Sequence, residues 1–360
     1  MSRRPAWARW GTRVVLLVAV VALAWTVNDI GLSTLGEYFT KIGWWWLMVV
    51  ALEVLNTFLD ATAIRAFLSP ETDKLLLRHA LMSQLAGRAV NVVTPSGNLG
   101  EIVKASVLTD FVSESRAVST ILLYNIVSFA VELLQVVVFV PFLVLLVPMP
   151  ESLRWMMVLA GVVCLVLAIG LFLLVRRGVL LSFARLAVRI RILSKARFEK
   201  WEAKLAGVDD KLRLTAGARP RDRWIGIAAI ATSRTSSSVL SLLILHAIGH
   251  PVTLPFVAAY VVGGFVVYMV SSLIPMGIGV SEGGWYGLFR ALGENPALGV
   301  TLVLARRCTL VVYAAIGIVL VTASETVKRA KAKAAAKTAE PAHIIDDVTG
   351  ATVTKPTESA

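Results

Sequence analysis

Long apolar runs, separated by segments rich in lysine and arginine, are the feature that most restricts how this sequence can fold. A run of about 20 apolar residues is long enough to cross a bilayer as one helix. Hydrophobic residues make up 57% of the chain and charged residues 16%, whereas soluble domains have roughly 45–50% and about 25%. We therefore predict an all-α polytopic membrane protein. The net charge of +13 then indicates membrane orientation, and no nucleic-acid partner is expected.

Six full spans are predicted, near residues 13–30, 44–67, 117–141, 153–175, 224–247 and 297–323. Two further apolar regions, 75–111 and 254–293, differ from these spans. Each reads as a helix, a break rich in proline and glycine, and a shorter helix of about a dozen residues, which is too short to cross comfortably. The predicted fold is therefore six full transmembrane helices plus two re-entrant helical hairpins.

Basic residues orient these spans. Arginines precede the first span, 14 Lys/Arg against five acids occupy residues 176–223, and lysines follow residue 327. The positive-inside rule places all three segments, and so both termini, in the cytoplasm. The predicted units are an N-terminal anchor and outer loop (1–43), a first repeat with a linking span (44–175), a basic, partly amphipathic linker (176–223), a second repeat (224–325) and a disordered tail (326–360). A cleaved signal peptide in place of the first anchor would leave the later topology unchanged, and we favour the retained anchor.

The two predicted hairpins share a pattern and are predicted to face opposite ways. Each break runs proline, glycine, glycine and then glutamate, and the topology makes the first hairpin enter from the cytoplasm and the second from outside. Inverted repeats with broken helices are typical of transporters, and the unpaired backbone groups of a break require a polar cavity. The residues that carry this pattern are Pro95, Gly97, Gly100 and Glu101 in the first hairpin and Pro275, Gly277, Gly279 and Glu282 in the second.

Charged residues inside predicted spans provide the candidate binding groups. A charge at the bilayer centre costs about 2.5–3.5 kcal/mol on insertion scales, so such residues should face a polar interior and pair. A cluster of guanidinium groups suits a phosphate, which makes Arg88, Arg234 and Arg306 candidates for a lipid head group. The acids Glu53, Asp60 and Glu132 are available to neutralise them. For Glu101 and Glu282, a helix-capping role and a functional role both remain open.

The hairpin residues also resemble a known family. The motif Arg88, Asn91, Pro95, Gly97, Gly100, Glu101 and Lys104, followed by Pro275, Gly277, Gly279, Glu282 and Arg306, is similar to the transmembrane flippase domain of lysylphosphatidylglycerol synthases. The resemblance covers about 44–325 and implies that these residues act in moving an aminoacylated phospholipid or a related lipid between leaflets. No aminoacyl-transferase domain follows residue 325, so lipid synthesis by this chain is not expected. Tyr124 and Asn125 stand where family members often carry a Glu-Arg pair, which leaves the head group open.

The leading hypothesis is a lipid flippase of the bacterial cytoplasmic membrane that translocates an anionic or aminoacylated phospholipid. The alternative is a translocase or accessory protein for polyprenyl-phosphate-linked glycolipids, and a lipid-modifying enzyme is the least favoured class. Gly279 to Gly283 matches the serine-hydrolase elbow but lies in a membrane hairpin, so no catalytic residue, metal or cofactor is expected. The expected partners are membrane lipids, while an envelope-lipid synthesising enzyme and a second copy of the chain in a homodimer remain open.

Overall fold

The computed structural model describes residue 37 and residues 40–69, 76–93, 99–177, 219–272 and 279–309, together with isolated helical residues between 188 and 210. The predicted span 13–30, nearly all of the linker and the tail 326–360 lie outside these ranges. So do Pro95, Gly97, Pro275 and Gly277, because both breaks fall between described segments.

The described residues contain nine helices of ten residues or more and no strand. The helices are α1 (Trp45–Phe67), α2 (Leu77–Val93), α3 (Leu99–Leu108), α4 (Glu114–Leu146), α5 (Glu151–Arg177), α6 (Pro220–Ala247), α7 (Leu254–Ser272), α8 (Val280–Ala291) and α9 (296–309). Five of them, α1, α4, α5, α6 and α7, are long and apolar enough to cross a membrane. The prediction of an all-α polytopic membrane protein is confirmed.

Four of these five helices coincide with predicted full spans, and the fifth does not. The final predicted span, 297–323, is described only as far as residue 309. We predicted α7 as one arm of a re-entrant hairpin, but its 19 residues make it a candidate span in its own right. A helix of that length rises about 28 Å, which approaches the thickness of the hydrocarbon core. Its partner α8 has 12 residues and is too short to cross.

The first helices of the two repeats, α1 and α6, pack along each other in opposite directions. At one end Phe67 lies over Gly226, where an added Cβ would come within 2.4 Å of the Phe67 ring. At the other end the rings of Trp45 and His246 meet edge to face, with centroids 5.4 Å apart. Residue numbers therefore fall along α6 as they rise along α1. The missing side chain at Gly226 allows the close approach.

Two helical hairpins approach this antiparallel pair from opposite ends. We call α2–α3 hairpin 1 and α7–α8 hairpin 2. The base of hairpin 1 shares a buried apolar cluster with the Phe67 end of α1, through Ala80 and Leu108. The base of hairpin 2 shares a second cluster with the Trp46 end, through Phe256 and Phe289. This placement agrees with the inverted arrangement predicted from the order of the helices.

The two arms of hairpin 1 are in direct backbone contact. A Cβ added at Gly100 would lie 2.1 Å from the carbonyl oxygen of Gly87, so no larger residue fits at this crossing without a shift. The Ser83 hydroxyl donates to the carbonyl oxygen of Lys104 at 2.9 Å and fixes the register further along the arms. In hairpin 2 the turn residue Gly279 has φ +78° and donates its N–H to the Glu282 carboxylate at 2.8 Å. Positive φ favours glycine. Hairpin 1 therefore needs glycine for the close approach of its arms, and hairpin 2 needs glycine for the backbone conformation of its turn.

Candidate functional site

A cavity of about 450 Å³ lies among six helices, α1, α2, α3, α4, α6 and α7. Polar side chains inside an apolar bundle must pair with one another or with a ligand. Most of its wall is polar or charged, and the residues that line it are Asp60, Gln84, Arg88, Asn91, Glu101, Lys104, Tyr124, Asn125, Ser128, Phe129, Glu132, Arg234 and Tyr268.

Asp60, on α1, is the acid around which two arginines gather. Its side chain is only 2% exposed, and its carboxylate accepts a hydrogen bond from Arg88 at 2.9 Å and one from the Ser233 hydroxyl at 2.8 Å. A guanidinium nitrogen of Arg234 lies 3.7 Å away. Arg88 is also paired with Glu53 at 3.3 Å. One buried carboxylate from the first repeat therefore holds an arginine from each repeat.

Arg234 extends this cluster towards α4. It donates to the Tyr124 hydroxyl at 2.7 Å and to the Ser128 hydroxyl at 3.3 Å. Its Nε atom lies 3.8 Å from Glu132 and has no hydrogen-bond partner in the described part of the chain. The Tyr124 ring lies between two cations, with Lys104 Nζ 5.3 Å and the Arg234 guanidinium 5.9 Å from its centroid. Such distances are typical of cation–π contacts.

Glu101 connects the two arms of hairpin 1 to α4. One carboxylate oxygen accepts hydrogen bonds from Lys104 at 2.8 Å and from Asn91 at 3.2 Å, and the other accepts one from Asn125 at 3.0 Å. Asn91 in turn accepts the backbone N–H of Gly100 at 2.7 Å, which satisfies a free donor at the start of α3. Glu101 is therefore a tether between helices as well as an acid in the first turn of α3.

Among the described residues, the cavity wall is balanced in charge. The lining residues include three acids (Asp60, Glu101 and Glu132) and three bases (Arg88, Lys104 and Arg234), so their formal charges sum to zero. The sequence predicted a cluster of guanidinium groups with acids available to neutralise it, and the structure shows a lining in which the acids balance the bases. Each of the three cavity cations lies near a carboxylate, because an unpaired charge in the bilayer interior is expensive.

The predicted site residues separate into two groups. Arg88, Asn91, Glu101, Lys104 and Arg234 all line the cavity, and Gly100 supports it from the crossing of hairpin 1. The described residues predicted from hairpin 2 and α9, which are Gly279, Glu282 and Arg306, are not among the lining residues. The predicted residues that lie outside the described ranges are Pro95, Gly97, Pro275 and Gly277.

Those second-repeat residues form contacts of their own. Glu282 forms an ion pair with Arg307 of α9. Arg306 donates to the Ser241 hydroxyl at 2.8 Å and to the Ser237 carbonyl at 3.2 Å, both on α6. We predicted that Arg88, Arg234 and Arg306 form one cluster. In the structure Arg88 and Arg234 line the cavity, whereas Arg306 does not. The structure places a ligand-sized cavity beside hairpin 1 and an ion pair at the tip of hairpin 2.

Several lining residues were not predicted as part of the site. Asp60 and Glu132 were recognised as charges within spans, but nothing in their local sequence identified their partners. Tyr124 and Asn125 were noted only as a departure from the family pattern, although that departure marked a wall of the cavity. The other residues that were not predicted as binding groups are Gln84, Ser128, Phe129 and Tyr268.

The comparison with protein families assigns the chain to one family. The family described as "Lysylphosphatidylglycerol synthase TM region" matches residues 13–317. The chain therefore belongs to this family, and the resemblance noted in the hairpin motifs is confirmed. It is a multi-pass membrane protein. No curated protein matches the chain at the significance required, and no solved structure does so either.

Proposed function

We propose that this protein is a lipid flippase, which takes the polar head group of a phospholipid into the cavity and moves it across the membrane. The observation that carries the proposal is the cavity itself, which places six charged side chains among apolar helices. Charges at this depth are costly and mark substrate pathways in membrane proteins. Membership of the family supports a role in lipid processes. The proposed location is the bacterial cytoplasmic membrane, with both termini in the cytoplasm.

The balance of charges favours a head group with both an anionic and a cationic centre. A phosphate would be bound by Arg88 and Arg234, which present guanidinium groups suited to bidentate contacts. An ammonium group would be bound by Glu132 or Glu101. Aminoacylated phospholipids carry both groups, whereas a purely anionic lipid would leave the acids without partners. We therefore favour the aminoacylated class over the anionic class.

The hairpins supply a route for alternating access. The tip of hairpin 1 is tethered to α4 through Glu101 and Asn125, and the tip of hairpin 2 is tethered to α9 through Glu282 and Arg307. Because the hairpins approach from opposite ends, release of one tether would open the cavity towards one side only. Breaking one tether while the other holds would expose the head group to one leaflet at a time.

Reconstituted vesicles test this proposal. Purified protein would be placed in vesicles with a fluorescent aminoacyl phosphatidylglycerol, and transport would be read as the fraction of label reached by a membrane-impermeant quencher. Parallel arms would carry phosphatidylglycerol, phosphatidylethanolamine or a polyprenyl phosphate. We expect faster exposure of the aminoacylated lipid with protein than without it, and a loss of that effect in Arg88→Gln. Arg154→Gln serves as the matched control, because Arg154 is exposed on α5 and does not line the cavity.

Two outcomes contradict the proposal. Equal rates of lipid exposure with and without protein, for every lipid, would contradict the flippase function. Acceleration of the polyprenyl phosphate alone would support the glycolipid translocase instead.

A further inference from the structure

The two halves of α7 differ in how they are packed. All of its buried residues lie in the first half, and they are Phe256, Ala258, Ala259, Tyr260 and Val262. No residue from 263 to 272 is buried, and Val266 and Val270 are 52% and 48% exposed. One half of the helix is therefore held in the bundle, whereas the other half forms part of the outer surface.

The packing of α7 on α4 shows the same division. Ala258, Ala259 and Val262 belong to one buried cluster with Leu133 and Val136 of α4. Small residues such as alanine let the helix backbones come close there. Nearer the cavity, the contact between the two helices is a tilted pair of rings, Phe129 and Phe265, whose centroids are 6.2 Å apart.

The cavity reaches the outer surface where this packing ends. Tyr268 lines the cavity, yet 55% of the residue is exposed. Glu132, from the facing helix α4, also lines the cavity and has a side chain that is 25% exposed. Val266 and Val270, two positions before and after Tyr268, project from the opposite side of α7 and are exposed. The charged cavity therefore opens beside a helix whose outer side is apolar.

One buried polar atom of the cavity without a hydrogen-bond partner among the described residues lies at this edge, and the other such atoms of the lining belong to Gln84. Glu132 lies 3.8 Å from the Nε atom of Arg234, and that atom has no hydrogen-bond partner among the described residues. The deeper pair of Arg88 and Asp60 is at 2.9 Å. A buried donor without a partner costs about 1–3 kcal/mol, so an arriving phosphate oxygen would relieve the deficit.

We propose that the gap between α4 and the second half of α7 is a lateral portal for a phospholipid of the surrounding bilayer. The head group passes Tyr268 and Phe129 into the cavity, and the acyl chains stay outside against the exposed apolar side of α7, which carries Val266 and Val270. The phospholipid is the occupant that fits, because a charged cavity opens here beside an apolar helix surface, and these two surfaces match the two parts of one amphipathic molecule. This inference rests on the proposed flippase function and adds the path by which its substrate enters.

Photo-crosslinking at Tyr268 tests the portal directly. Tyr268 would be replaced by p-benzoylphenylalanine, and the protein would be placed in vesicles that contain a small fraction of head-group-labelled aminoacyl phosphatidylglycerol in phosphatidylcholine. The matched control is the same replacement at Tyr286, which is 44% exposed on α8 and does not line the cavity. We expect capture of the labelled lipid several-fold above its share of the bilayer at position 268, and capture equal to its share at position 286.

A closure experiment provides an independent readout. In a chain whose two native cysteines, both buried, are replaced by alanine, Phe129→Cys and Phe265→Cys would be joined by a short bifunctional maleimide. The control joins Val140→Cys to Gly161→Cys, which ties α4 to α5 where an added Cβ at Gly161 lies 3.4 Å from the Val140 Cβ. We expect loss of lipid transport with the first pair and retained transport with the second.

The outcomes separate this inference from the proposed function. Equal capture at the two tyrosines, or unchanged transport after the first crosslink forms, would overturn the portal while transport by the unmodified protein still supports the flippase. Absence of transport by the unmodified protein would overturn the flippase function and the portal with it.

Discussion

Asp60→Asn is the substitution that most directly tests how the cavity is held together. Asp60 is the buried acid that Arg88 and Arg234 share, at 2.9 Å and 3.7 Å. Asparagine has nearly the same shape and can still accept the Ser233 hydroxyl. The change therefore removes the negative charge and leaves the packing almost intact. Two guanidinium groups then remain in the bundle with one fewer carboxylate.

The expected cost follows from the burial of the three groups. Removing one partner of a buried ion pair costs about 3–5 kcal/mol, because a charge is left uncompensated. Here the arginine side chains are 27% and 23% exposed, so solvent screens part of this penalty. Glu53 still pairs with Arg88 at 3.3 Å. We therefore expect Asp60→Asn to lower the free energy of unfolding by about 2–3 kcal/mol.

Unfolding in mixed micelles with increasing dodecyl sulfate measures this change. The matched control is Asp110→Asn, since Asp110 is exposed after α3 and exposed charge pairs contribute about 1 kcal/mol or less. The double variant Asp60→Asn with Arg234→Gln should lose less than the sum of the two single variants, because the second change removes a charge that the first left unpaired.

Equal stability of Asp60→Asn and Asp110→Asn would refute the reasoning, as would strict additivity in the double variant. Either result would mean that the cavity charges are solvated independently and do not form a cluster.

Three further predictions follow from the same contacts. Glu132→Gln changes the formal charge of the cavity from zero to +1, so the vesicle assay should show a preference shifted from aminoacylated towards purely anionic phospholipid; an unchanged ratio would contradict the charge-matching argument. Gly100→Ala places a Cβ 2.1 Å from a carbonyl oxygen of the neighbouring arm, so it should lower the free energy of unfolding by about 1–3 kcal/mol or more. In the control Gly170→Ala the added Cβ meets nothing within 4 Å, so the free energy of unfolding should change by no more than about 1 kcal/mol. Glu282→Lys and Arg307→Glu should each destabilise the protein. The combined swap should recover part of the loss, with a coupling energy of about 0.5–3 kcal/mol measured by unfolding in micelles. No recovery would show that this ion pair does not hold the tip of hairpin 2.

The helical, membrane-embedded character of the chain could be predicted from sequence because it depends on one-dimensional properties. Length and polarity of each run identify the candidate spans α1, α4, α5 and α6 without knowledge of any contact. The hairpins could be predicted for a similar reason, since proline and glycine interrupt helices through local backbone chemistry. Arg88 was predicted from its charge and Glu101 from the pattern of the break, whereas Asn91 and Lys104 were implied by the family resemblance.

The partner that each cavity charge receives could not be predicted, because it depends on which helices meet. Asp60 on α1 and Arg234 on α6 are far apart in the chain and become partners only because α1 and α6 pack antiparallel. The sequence showed three arginines within spans, but Arg306 bonds to serines of α6 and does not line the cavity. Local sequence determines that a buried charge needs a partner, and tertiary packing decides which partner it receives.

The two ends of α7 make the same point. Its sequence is apolar throughout, and by itself this determines only that the helix belongs in a membrane. The structure buries Ala258 against α4 and leaves Tyr268 both beside the cavity and at the outer surface. An apolar residue can pack equally well against lipid or against another helix, since neither environment contains water. The sequence by itself therefore determined that this helix lies in the membrane. Only the tertiary structure decided which of its residues face the cavity, the bundle or the bilayer.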